Sequence, residues 1–383
     1  MNLPSRFLGA TATVISSLIL ASCGGSSNSS PTTVPTQPVI PTATQGNYAW
    51  ELNSQNDLRT ATIDENGKIG SPVEAGGPVA NSQPGTPTVA VDPAQHFAFA
   101  LDTSINQVRV FAISGPGVKL TEIAGSPFVP FTPGTLDALL IGPKGNRLYV
   151  LQAPSTIQAF NIDSKTGKLT FPSWVSIGLE GPTFEEIAMT PSGVFIFTND
   201  VAAGQMYAFN ITDDRFLEIL GDDPFLAPIG GEPTHLVVDS SGKYLYATLS
   251  AGGVAGFAID QNTGVVTDVA GSPFSTSDIP AGIAVSPNAG FLYVVNQNGT
   301  IDSFSIDEGG GSLVPIPTGP VATSAQPSSI TVDATGDFLL VANEPNSDIY
   351  SFKISSLGAL TAVAGSPFQA ISHITLIQPL NIP

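Results

Sequence analysis

From Tyr48 onward the chain alternates short runs of β-branched, aromatic and aliphatic residues with clusters of Gly, Pro, Asn and Asp. That texture predicts strands and turns rather than helices, because no apolar spacing of three and four residues is sustained. Pro280-Ala281-Gly282-Ile283-Ala284-Val285 shows one unit: a Pro-led run, the turn Pro287-Asn288-Ala289-Gly290, then Phe291-Leu292-Tyr293-Val294-Val295. A third run carries aromatic-x-Ile, and a fourth closes the unit after a turn of the Asp260-Gln261-Asn262-Thr263-Gly264 kind.

The third run fixes the period. Phe111, Phe160, Phe209, Phe257, Phe304 and Phe352 each begin Phe-x-Ile, at spacings of 49, 49, 48, 47 and 48, and Ala61-Thr62-Ile63 is a seventh copy with Ala in the Phe slot. Four strands in about 48 residues, seven times over, predict an all-β, seven-bladed β-propeller with four antiparallel strands per blade. Tyr48 to Val73 supplies only the last three strands of a unit, and Ile371 to Ile377 reads as a lone first strand. The last blade is therefore expected to close with the C-terminal strand innermost beside three N-terminal ones. The Phe of the repeat is expected to be inter-blade core.

The beginning of the chain is different. Arg6, the apolar run Phe7 to Leu20 and Leu20-Ala21-Ser22-Cys23 read as a lipoprotein signal peptide over 1–22, since the run is too short to span a bilayer. Leu-Ala-Ser-Cys resembles the lipobox of bacterial lipoproteins, which implies acylation of Cys23. Residues 23–46 hold the lipidated Cys and a Ser/Thr/Pro-rich tether, and 47–383 form the propeller domain. The expected location is the cell envelope, on its periplasmic or outer face, with the membrane as partner through the Cys23 anchor.

Composition narrows the chemistry. Twelve Lys and Arg against 31 Asp and Glu give a net charge of −19, so a nucleic-acid partner is not expected. One Cys and three scattered His (His96, His235, His373) give neither an internal disulfide nor zinc-ligand spacing. No metal and no cofactor is expected.

Ala124-Gly125-Ser126-Pro127-Phe128, repeated at Ala270 to Phe274 and Ala364 to Phe368, with Val341-Ala342-Asn343-Glu344 and Leu148-Tyr149-Val150, resembles the seven-bladed lactonase family. Its members are propeller-type 6-phosphogluconolactonases, with muconate cycloisomerases as relatives. The resemblance implies a lactonase-type carboxylic ester hydrolase. Family enzymes carry a Gly-Pro-Arg-His-like start to a strand and an Asp-Leu-Gly-x-Asp loop; the nearest segments here are Glu232-Pro233-Thr234-His235 and Ala100-Leu101-Asp102-Thr103.

In a propeller, the ends of second strands and the starts of first strands ring one mouth of the central channel. At the second-strand ends stand Asp102, Gln152, Asn199, Leu249, Asn296 and Asn343. The five polar residues form a binding rim or simply satisfy their own turns. Asp137, Glu185, Asp200, His235, Glu344 and His373 fall near the same mouth. A lactonase needs a base to activate water and donors for the oxyanion; Glu344 or His235 would be that base, with Asn296 and Asn343 as donors. Basic residues fall on third strands or the opposite face, with Arg59 and Arg109 alone placed to converge on an anion. A phosphosugar, which needs such cations, is therefore not the expected substrate. Two classes stand: hydrolysis of a neutral or weakly charged lactone, or a non-catalytic module binding an envelope protein or saccharide.

Overall fold

The computed structural model describes residues 46–53, 58–76, 89–114, 119–130, 134–172, 176–178, 182–212, 216–219, 225–226, 231–287, 290–317, 321–370 and 374–382. The tether, Cys23 and His373 lie outside them. The described residues belong to one compact unit, Ile40–Pro383, and form seven separate antiparallel sheets. Blades 1 to 6 begin with first strands Val89–Val91, Leu136–Ile141, Phe184–Met189, Pro233–Val238, Pro280–Val285 and Pro327–Val332. Each runs in order to its fourth strand by hairpins.

Blade 7 is built from both ends of the chain. Val73–Gly76, Leu58–Ile63 and Gly46–Asn53 are its outer three strands, and Ile374–Ile382 pairs with Gly46–Asn53 as the innermost. The C-terminal strand starts and ends later than the sequence suggests, because its pairing continues through Pro379 to Ile382 against the first residues of the N-terminal strand.

Ring closure is visible in the core. The described residues hold seven buried apolar clusters, one for each junction between consecutive blades. Phe160 of blade 2 packs on Phe97, Phe99 and Val110 of blade 1, and the same relation recurs for Phe209, Phe257, Phe304 and Phe352. Ala61 of blade 7 packs on Leu340 and Ala342 of blade 6, while Phe111 of blade 1 meets Tyr48 and Leu58 of blade 7. Among the described residues each blade shares such a cluster with both of its neighbours, which is how an all-β chain of this length avoids open sheets.

The blades differ from a plain four-stranded unit at their outer edge. In blades 2, 3, 5 and 6 the third strand carries the fourth strand along one half and a short extra strand along the other. In blades 1 and 4 single bridges, Phe128 to Val108 and Phe274 to Val254, do the same work. The repeated Ala-Gly-Ser-Pro-Phe segment explains the junction between the halves. The hydroxyls of Ser126, Ser272 and Ser366 each accept, at 3.0 Å, the N–H of the third-strand residue that neither half reaches: Val110, Gly256 and Ser351. Buried backbone donors require such a partner.

Glycine appears where one blade leans on the next. Gly311 ends the third turn of blade 5 at φ +75°, and a Cβ there would lie 2.3 Å from Cδ1 of Tyr244 in blade 4. Gly67 stands in the same relation to Phe338, with 2.2 Å. Only glycine permits both the backbone and the ring at that spot.

Candidate active site

The first strands of blades 2 to 6 share a local fault. Each loses register by one residue just after it begins: between Leu136 and Ala138, Phe184 and Ile187, Pro233 and Leu236, Pro280 and Gly282, and Pro327 and Ser329. A β-bulge re-aims the extra side chain instead of continuing the pleat. The residues at these bulges are Asp137, Glu185 with Glu186, Thr234 with His235, Ala281 and Ser328. Titratable groups therefore gather on three consecutive blades, 2 to 4.

One pair among them is built to hold a proton in a chosen place. His235 Nδ1 lies 2.7 Å from Glu186 Oε1, and the other oxygen, Oε2, accepts the N–H of Leu236 at 2.6 Å. Glu186 is buried, whereas the His235 side chain keeps 23% of its surface exposed. With Nδ1–H donated to the carboxylate, Nε2 is the nitrogen left to take a proton. Burial lowers the His235 pKa, but the charge of Glu186, its hydrogen bond and the charge of Glu185 outweigh that, and the net position is above the ordinary histidine value.

Carboxylates surround the pair. Burial, with the charges of Asp200 and Glu186 adding to it, pushes Glu185 above the usual range, against a lowering by His235. Burial pushes Asp137 to about 6, opposed by a hydrogen bond from the Ala153 backbone and assisted by Glu185. No Lys or Arg appears among the charges acting on these three groups. Lys144 and Arg147 instead line a cavity of about 540 Å³ between blades 2 and 3, by the turns at the opposite ends of the strands. Among the described residues no group of His, Cys, Asp and Glu has the arrangement of a metal site.

The rim residues serve the ring's own architecture. Asp102 is buried and accepts from Arg109 Nε at 2.7 Å and Ser104 Oγ at 2.5 Å. Gln152 is buried and accepts from Gln158 Nε2. Asn343 Nδ2 donates to the carbonyls of Ser324 and Ala325, and Asn296 Nδ2 to Thr300 Oγ1 and Asp302 Oδ2. Both amides are thus spent, and neither offers the N–H expected for an oxyanion. In blade 3 the residue aligned with Asp102, Gln152, Asn296 and Asn343 is Asp200, which pairs with Phe184; Asn199 sits one place earlier, facing the next blade.

The two anion-binding candidates also differ from expectation. Arg109 is held by Asp102 and, through Nη1, by both oxygens of Glu122 at 3.1 and 3.2 Å, all in blade 1. Arg59 stands between the cross-strand positions of Glu51 and Glu74 in blade 7. Glu344, in blade 6, is half-buried and is not among the charges acting on His235. The expected bases Glu344 and His235 are therefore not brought together; Glu186 takes the place beside the histidine. The signal for it was a Glu-Glu pair at the start of a buried inner strand, where the bulge was not readable.

The family model described as Lactonase, 7-bladed beta-propeller, matches residues 20–273 and 186–370. The chain belongs to this lactonase propeller family. Within it, the chain is 22% identical over 244 residues to the 6-phosphogluconolactonase of Yersinia enterocolitica, covering 60% of this chain and 68% of that protein. A candidate 6-phosphogluconolactonase of Bacteroides fragilis superposes with a TM-score of 0.72 at 20% identity, over 92% of this chain and 100% of the other. The periplasmic gluconolactonase PpgL of Pseudomonas aeruginosa gives 0.69 at 17% identity, over 88% and 100%. At these identities the structural likeness speaks for the fold.

Proposed function

We propose that this lactonase-family propeller hydrolyses a lactone that carries no strong negative charge, with His235 as base and Glu186 as its orienting partner. The observation that carries the reading is the 2.7 Å contact between His235 Nδ1 and a buried carboxylate, which leaves Nε2 as the nitrogen to take a proton on a side chain that is part-exposed. Nε2 takes a proton from water as the oxygen attacks the lactone carbonyl. The imidazolium then returns that proton to the ring oxygen as the C–O bond breaks, giving a hydroxy acid. Asp137, Glu185 and Asp200 near the pair repel an anionic ligand, and no Lys or Arg is among the charges acting on Asp137 or Glu185.

The envelope location belongs to the same reading. It is supported by the apolar leader ending at Cys23 and the uncharged stretch that follows, and by the periplasmic relative from Pseudomonas aeruginosa. An exported enzyme meets few cytosolic sugar phosphates, in keeping with the acidic mouth.

The test is a panel of neutral five- and six-membered lactones and 6-phosphogluconolactone, assayed on wild type, Glu186→Gln and His235→Gln. Saturable turnover of a neutral lactone, lost in His235→Gln, is the expected result. No turnover of any lactone leaves the non-catalytic binding module; faster turnover of the phosphorylated substrate refutes the charge argument.

A further inference from the structure

The blades serve as controls for one another. The fifth residue of each second strand in blades 1 to 6 is Leu101, Leu151, Asn199, Thr248, Val295 and Ala342, and all six are 0% exposed. The fourth residues are Ala100, Val150, Thr198, Ala247, Val294 and Val341, also 0% exposed. These slots are apolar except in blades 3 and 4. Burying an amide or hydroxyl costs free energy unless it finds partners, so the three exceptions call for a reason.

All three grip the Glu186 and His235 bulges. Thr198 Oγ1 donates to the Glu186 carbonyl at 2.5 Å, and Asn199 Oδ1 accepts the Glu186 N–H at 2.8 Å. Asn199 Nδ2 crosses to blade 4 and donates to the carbonyls of Pro233 and Thr234 at 2.9 and 3.1 Å. Thr248 Oγ1 accepts the His235 N–H at 3.0 Å and bonds the Thr234 hydroxyl at 2.7 Å. Bulges as such do not require this, since blades 2, 5 and 6 make theirs beside Leu151, Val295 and Ala342.

We infer that Thr198, Asn199 and Thr248 are positioning residues that lock the two bulges together and so fix the separation of Glu186 and His235. Asn199 is the central member, because it alone holds both blades. The inference rests on the proposed roles of Glu186 and His235, and its test does not need a substrate.

Each position takes the residue its sister blades carry: Asn199→Leu, Thr248→Val and Thr198→Val. Ser351→Ala is the stability control; it removes a buried hydrogen bond from Ser351 Oγ to the Gly67 carbonyl, between blades 6 and 7. Histidine NMR resolves the titration readily, since the chain has three His. Asn199→Leu is expected to lower the His235 pKa as the charged partner moves away, with Thr248→Val doing so less and Ser351→Ala not at all. On a hydrolysed lactone, kcat should fall by up to about 100-fold in Asn199→Leu with KM little changed, the cost of a misplaced catalytic group. If Asn199→Leu does not fold, Thr248→Val, nearly isosteric, carries the test. An unshifted His235 titration in a folded variant overturns the inference. A shifted titration in a protein that hydrolyses no lactone leaves the lock standing and removes the hydrolase reading.

Discussion

Replacing Gly311 by Ala probes how the ring is held shut. At φ +75° an Ala pays for the left-handed conformation, about 1–2 kcal/mol. Its Cβ would also sit 2.3, 2.5 and 2.9 Å from Cδ1, Cε1 and Cγ of Tyr244, well inside the ~3.5–4.0 Å separation of carbons in contact. The ring must shift by more than an ångström, an overpacking cost of about 1–3 kcal/mol. That shift also strains the bond from the Tyr244 hydroxyl to the Glu308 carbonyl, 3.1 Å long, worth about 1 kcal/mol. The sum is about 3–6 kcal/mol. Gly204→Ala is the matched control, with φ +67° and nothing within 4 Å of the added carbon, so it pays only the backbone part. Urea denaturation followed by tryptophan fluorescence should separate the two by about 2–4 kcal/mol, roughly 1 M in midpoint for a large domain. In a Tyr244→Ala background the excess should vanish. Coincident midpoints for Gly311→Ala and Gly204→Ala would refute the claim that ring-on-glycine contacts bind neighbouring blades.

Three other outcomes follow from the site and the chain's beginning. Asp137, raised to about 6 by burial, favours the folded state fully only below its unfolded pKa and loses that contribution as pH rises through 6. Asp137→Asn should therefore stabilise the protein at pH 8 and not at pH 4, by about 1 kcal/mol after allowing for its partial exposure, as read from denaturation midpoints at the two pH values. Glu186→Gln removes the charge that raises His235, so the pH at which lactone hydrolysis switches on should move down while the maximal rate falls; an unmoved pH profile counts against the pair. Cys23→Ser should abolish labelling by a radioactive fatty acid and leave the protein in the soluble fraction, whereas retained label would exclude lipidation at that residue.

What the sequence revealed and what it hid divide along a physical line. The blade count, the aromatic-x-Ile core and the composite last blade were legible because each is written seven times or at the chain ends, and repetition averages out local ambiguity. The site depends on departures from the repeat, which averaging erases. His235 was visible as an imidazole at a strand start, but Glu186 was not, since a one-residue slip decides which face a strand residue takes. In an unbroken strand Glu185 and Glu186 point to opposite faces; the bulge brings both into the field of His235. Asp200, the last residue of the second strand and the partner of Phe184, holds the rim slot assigned to Asn199, which one place earlier faces blade 4. The Asn and Gln side chains of the rim were ambiguous for a related reason: short amides at strand ends are as well suited to satisfying their own backbone as to meeting a ligand. In a ring whose sheets all look alike, chemistry is found by asking which blade breaks the rule of its neighbours. Blades 3 and 4 do so at Thr198, Asn199 and Thr248, each a buried polar side chain where the sister blades carry Ala, Val or Leu, and all three converge on the same two bulges.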